Sequence, residues 1–144
     1  MLIYGVCISE IKEINQKKVE KFLAELAEKG FPDYLKEFKA NKEDNNGDYT
    51  VGDYLYDYAS NGYYGLSAFL RDIIEKVEGI NISCEDPNGI HYLGIAADMP
   101  WYFNEKTRNL SDVEYIQIMA KYVSKVTDET LDIRWWNVCD DCDY

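Results

Sequence analysis

The chain has 144 residues, 47% of them hydrophobic and 29% charged, with 27 acids against 15 bases and a net charge of −12. That length fits one domain with a real core, and the composition excludes global disorder and any run of roughly 18 apolar residues that would span a bilayer. A field of this sign repels DNA, RNA and anionic lipid and attracts basic clefts.

Met1–Ser9 is apolar and rich in Ile, Tyr and Val. It has no basic leader and no cleavage site, so it reads as a buried strand and the protein as cytoplasmic, with Cys7, Cys84, Cys139 and Cys142 reduced. Asn15 is the N-cap of a helix whose face is Val19, Phe22, Leu23 and Leu26, with Ile14 stapled on Val19 and Gly30 and Pro32 as the stop. Asp33–Phe38 adds a short helical turn, and Asn41–Asp48 reads as a polar loop turning at Asn45-Asn46-Gly47. Thr50 caps a short helix through about Ser60, broken by Asn61-Gly62. Leu66, Phe69, Leu70, Ile73, Ile74 and Val77 mark the strongest amphipathic helix, closed by Gly79.

A hairpin follows. Ile80, Ile82 and Cys84 alternate with polar residues, Asp86-Pro87-Asn88-Gly89 makes the turn, and Ile90–Ala97 returns. Asp98–Leu110 is an irregular connection carrying Trp101, Tyr102 and Phe103, expected to cover the end of the sheet. Ser111 and Glu114 form a capping box, and Val113, Ile116, Ala120 and Val123 are the expected buried stripe of the last helix. Leu131, Ile133 and Trp135 alternate with Asp132, Arg134 and Trp136 in a final strand that ends near Val138. Trp135 and Trp136 therefore point to opposite faces, and on an edge strand the outward ring is a candidate contact. The expected fold is α+β: a small, mainly antiparallel sheet of about four strands with helices on one face, residues 1–138 forming one domain and 139–144 an acidic tail.

The charge is uneven. Residues 1–42 are nearly balanced, whereas no base occurs between Lys42 and Arg71, a window that holds Glu43, Asp44, Asp48, Asp53 and Asp57. Tyrosines interleave with these acids. Asp53 and Asp57, four apart, share a helical face at a spacing close to, and slightly shorter than, that of successive phosphates on one DNA strand. Carboxylates in place of phosphates, with tyrosines as low-entropy anchors, describe a surface that docks in a nucleic-acid groove. The residues expected to touch a partner are Asp44, Asp48, Tyr49, Asp53, Tyr54, Tyr56, Asp57, Tyr58, Tyr63 and Tyr64.

Other motifs are weaker. Asp44, Asn46 and Asp48 sit at the first, third and fifth positions of a calcium-type loop, but Tyr49 replaces the turn glycine and Leu55 the closing carboxylate, so a polar turn is expected. Cys139-Asp140-Asp141-Cys142 is a lone CxxC whose aspartates raise thiol pKa, the wrong environment for a redox pair. His91 is the only histidine; catalysis there would need Cys84, Asp86 or Asp98 beside it. No nucleophile elbow or phosphate-binding glycine loop occurs, and no catalytic residue, metal or cofactor is assigned.

The reading is a small acidic protein-binding inhibitor, not an enzyme: a DNA mimic that blocks the basic cleft of a nuclease or other nucleic-acid-binding protein. Anti-CRISPR, anti-restriction and immunity proteins act this way as functional classes; the likeness is of size, charge and tyrosine content, and no family motif covers any part of the chain. The alternatives are a metal-binding module or enzyme built on Cys84, His91, Cys139 and Cys142, and a self-assembling regulatory domain using the aromatic loop at 100–103.

Overall fold

Strand β1 (Leu2–Cys7) lies inside the sheet because its residues are apolar on both faces. The computed structural model describes residues 1–58, 65–97 and 103–138. Tyr4 and Val6 point to the helical layer, whereas Ile3 and Cys7 belong to a second cluster on the opposite face. Antiparallel partners flank β1 on both sides: β3 (Tyr92–Ala96) pairs Gly5 with Gly94, and β4 (Arg134–Asn137) pairs Tyr4 with Trp135. With β2 (Ser83–Glu85) on the far side of β3, the order is β2-β3-β1-β4, which leaves β2 and β4 as edges.

Six α-helices are described. Helix α1 (Gln16–Glu28) starts where expected, with the Asn15 side chain accepting from the Lys18 amide, and buries Val19, Phe22, Leu23 and Leu26. Helix α2 (Asp33–Asp44) is longer than the short turn expected, and residues 41–44 are helical rather than loop. Tyr34 and Phe38 hold one face inward, and the residues that follow are mostly strong helix formers, so the helix runs until Asn45. The turn then comes where Asn46 and Gly47 take positive φ. Helix α3 (Val51–Asp57) is capped by Thr50, and α4 (Leu66–Glu78) ends at a left-handed Gly79.

Ile80 and Ile82 are buried in the connection out of α4 and not in a ladder, so β2 is shorter than the alternation implied. The hairpin turn forms at Pro87–Gly89. Within the expected irregular connection, Asn104 caps a short helix α5 (Glu105–Arg108). Phe103 packs into the second cluster under the sheet, as expected of a cover; Trp101 and Tyr102 lie outside the described residues.

Helix α6 (Asp112–Val123) corrects the expected stripe. It buries Tyr115, Met119, Tyr122 and Val123, leaving Val113 65% and Ile116 39% exposed. The larger rings take the inward positions because each has a partner there: Tyr115 stacks on Tyr4, and the Tyr122 hydroxyl donates to Glu78 at 2.5 Å. No described helix is long and apolar enough to cross a membrane.

Behind the sheet, on the face away from the helical layer, Gly5 and Gly94 sit opposite each other. A Cβ on Gly5 would lie 2.0 Å from the Leu93 carbonyl oxygen. Trp136 belongs to this face; its indole N–H donates to the Gly5 carbonyl at 2.9 Å, and the Arg134 guanidinium lies 3.5 Å from its ring centroid.

Candidate functional site

The acidic window folds into the end of α2, a turn, and α3. Asp44 is the last residue of α2, and with Glu43 it occupies the turn where the helix dipole disfavours negative charge. Asp48 follows the Asn45-Asn46-Gly47 turn. Thr50 and Asp53 then cap α3 reciprocally: the Asp53 amide donates to the Thr50 hydroxyl at 3.1 Å, and the Thr50 amide donates to the Asp53 carboxylate at 2.9 Å. Asp57 ends the helix and accepts from the Tyr49 hydroxyl at 3.1 Å.

The five carboxylates of Glu43, Asp44, Asp48, Asp53 and Asp57 are all exposed. No lysine or arginine among the described residues comes within 4.0 Å of any of them, whereas Lys18–Asp128, Arg71–Asp72, Lys121–Glu78 and Lys125–Glu25 are ion pairs elsewhere. Tyr56 is 53% exposed and lies on the same side of α3 as Asp53, three residues before it. Gly52, Asp53 and Tyr56 form one wall of an open groove whose other wall is Ile11, Ile14 and Gln16, with Lys12 and Glu13 between them.

The tyrosines are a correction. Tyr54 is 1% exposed and Tyr49 8%, so neither ring can anchor a partner, and Tyr58 is half-buried. They build the core. Phe69 on α4 meets Phe22, Tyr34, Tyr54 and Tyr58 edge to face, with centroids 5.4 to 6.2 Å apart. Burial first, and then the carboxylate of Asp72, push the Tyr58 hydroxyl's ionisation far upward; its proton goes to Asp72 at 2.6 Å. Burial does the same to Tyr54, and Glu37 adds to the shift, but among the described residues no hydrogen bond reaches either the Tyr54 or the Tyr34 hydroxyl. Tyr63 and Tyr64 lie outside the described residues.

Cys84 and His91 converge on Ser67, a residue the sequence pattern gave no reason to single out. Ser67 Oγ lies 3.5 Å from His91 Nδ1, and the Ser67 hydroxyl and Arg71 guanidinium both face the Cys84 thiol. Burial outweighs these two groups and pushes the thiol up to about 11, so it stays protonated and a poor nucleophile at neutral pH. Among the described residues no three His, Cys, Asp or Glu side chains gather as metal ligands. Cys139 and Cys142 lie outside the described residues.

An open surface concavity between residues 12–17 and 127–129 has its two central carboxylates engaged with the fold. Glu129 accepts from the amides of Lys12 and Glu13, and Asp128 binds Lys18 at 2.8 Å and Asn15 at 3.0 Å. The acidic edge from Glu43 to Asp57 differs in being a run of exposed carboxylates clear of every described lysine and arginine, with Asp53 and Asp57 also serving the α3 cap and the Tyr49 hydroxyl. No protein-family model, curated protein or solved structure matches this chain.

Proposed function

We propose that the protein is an inhibitor or blocking partner that inserts the edge Glu43–Asp57 into the basic cleft of a nucleic-acid-binding protein. The observation that carries this reading is the run of exposed carboxylates with no cation among the described residues within ion-pair distance, beside the exposed ring of Tyr56. Glu43 and Asp44 add to it, because carboxylates at a helix C-terminus cost stability and so serve the fold poorly. The mimicry rests on charge and on one ring. Tyr56 supplies apolar contact, while Tyr49, Tyr54 and Tyr58 stiffen the backbone that presents Asp53 and Asp57. Asp53 and Asp57 are held by the Thr50 amide and the Tyr49 hydroxyl, so they are ordered before a partner arrives, which lowers the entropy lost on binding.

The test is capture of DNA-binding proteins from lysate on immobilised protein, followed by elution with duplex DNA and by a salt series. DNA competes for the captured protein, and added salt weakens the contact because exposed charges are screened beyond about 8–10 Å near physiological ionic strength. The variant D44N/D48N/D53N/D57N, which keeps side-chain shape and the ability to accept hydrogen bonds, loses the capture. Unchanged capture by that variant, or capture indifferent to DNA, refutes the proposal.

A further inference from the structure

The geometry points to a second function for the edge strand β4: antiparallel self-pairing that joins two copies of the chain into one eight-stranded sheet. The parity of the ladder is fixed by Val138, whose amide donates to the Met1 carbonyl at 2.7 Å. Arg134 and Trp136 accordingly turn their backbone groups toward β1, whereas Trp135 and Asn137 turn theirs outward, and the same alternation carried back from β4 aims Ile133 outward. Among the described residues the outward carbonyl of Trp135 accepts from its neighbour, the Arg134 guanidinium, at 3.1 Å. An open edge is a template for another strand, and the segment that leads into this one is self-complementary.

Leu131-Asp132-Ile133-Arg134-Trp135 reads against itself when two copies run antiparallel about a two-fold axis at Ile133. In that register Ile133 faces Ile133 as a hydrogen-bonded pair, Leu131 faces Trp135 of the other copy, and Asp132 faces Arg134. The first three residue types point to the helical side, where Leu131 and Ile133 already pack against the core and Trp135 stacks on Tyr4 at 5.2 Å. Asp132 and Arg134 point to the other side and form non-hydrogen-bonded pairs, the positions where opposite side chains approach most closely. Two ion pairs thus form across the axis, and any one-residue slip sets apolar against charged residues. Trp135, 52% exposed in the single chain, becomes covered by Leu131. The apolar surface continues: Ala120 on α6 borders a groove with Leu131 and Ile133, and the exposed Ile116 and Val113 extend its line along the helix. The segment 131–137 carries one acid and one base, so this edge is neutral in a strongly anionic protein.

Sedimentation velocity across a concentration series tests the pairing on the whole chain. The wild-type protein shifts from monomer to dimer as concentration rises. Asp132→Arg sets like charges opposite each other twice and weakens the dimer at least roughly tenfold. Arg134→Asp alone does the same, and the double exchange D132R/R134D restores it, a rescue that loss of fold cannot imitate. Circular dichroism confirms that each variant is folded. A wild-type protein that stays monomeric at millimolar concentration overturns the inference, as does a double exchange that fails to restore the dimer; binding of some other strand at this edge by a monomeric protein also counts against it.

Discussion

Tyr54 and Tyr58 stand side by side, 6.1 Å between ring centroids, Tyr54 fully buried and Tyr58 half-buried, and their hydroxyls meet different surroundings. Tyr54 buries an oxygen with no hydrogen-bond partner among the described residues; Tyr58 donates to the Asp72 carboxylate. Replacing each with phenylalanine preserves every ring contact to Phe69 and removes one oxygen, so the signs of the two effects are opposite. A buried hydroxyl without a partner costs about 1–3 kcal/mol of desolvation, so Tyr54→Phe stabilises by about 1 kcal/mol or more. A hydrogen bond to a charged acceptor is worth about 1.5–3 kcal/mol. Asp72 keeps its contacts with Arg71 at 3.2 Å, which places Tyr58→Phe at the lower end of that range, as a loss. The two variants should therefore separate by about 2–4 kcal/mol in urea unfolding followed by circular dichroism, with melting temperatures moving in opposite directions by a few degrees each. Equal destabilisation by both would show that Glu37 satisfies the Tyr54 hydroxyl, and the account of this core would be wrong. Tyr54→Phe also leaves partner capture unchanged, since that ring is inside.

Gly5→Ala drives a methyl into the Leu93 carbonyl and the Gly94 backbone, so it destabilises by about 1–3 kcal/mol and perturbs Trp136; thermal melts and tryptophan emission record both. Glu75 is held above the ordinary carboxylate range by burial, partly offset by the Ile82 amide and by Arg71. A carboxyl whose folded-state pKa is raised destabilises the fold above that pKa, and the penalty vanishes as pH falls below the unfolded value near 4.5. Glu75→Gln should accordingly be stabilising at neutral pH and lose that advantage in acid, as read from urea midpoints across pH; a constant difference refutes the assignment.

The strand–helix order was legible because its signals are local. Asn15, Thr50, Ser111 and Gly79 sit at helix ends as the sequence predicts, a continuous apolar run marks β1, and period-two alternation marks the Trp135–Trp136 split. Where the reading of the candidate site and of α6 failed, tyrosine was the cause. Treated as an amphipathic surface residue, it was expected outside at positions 49 and 54 and was passed over at 115 and 122, although all four are buried. Burial of a tyrosine depends on what its hydroxyl and ring find across the fold, such as Asp57, Glu78 or Tyr4, and no spacing along the chain encodes those partners. The carboxylates were easier, because a charge with no partner in sequence stays in water. Ser67 was invisible for a related reason: it meets His91 only once α4 lies beside the sheet.

The convergence of four rings on Phe69 ties the motions of separate segments together. Its neighbours come from α1, α2, α3 and the residue that follows α3, so no one of these can swing outward without opening a void beside the others. Amide exchange in the buried turns of these helices should proceed through one shared opening, at a rate common to all, while the sheet edge breathes independently. On the function proposed above, the anionic ridge would meet its partner as a rigid blade, with α3 held in its tilt by these rings.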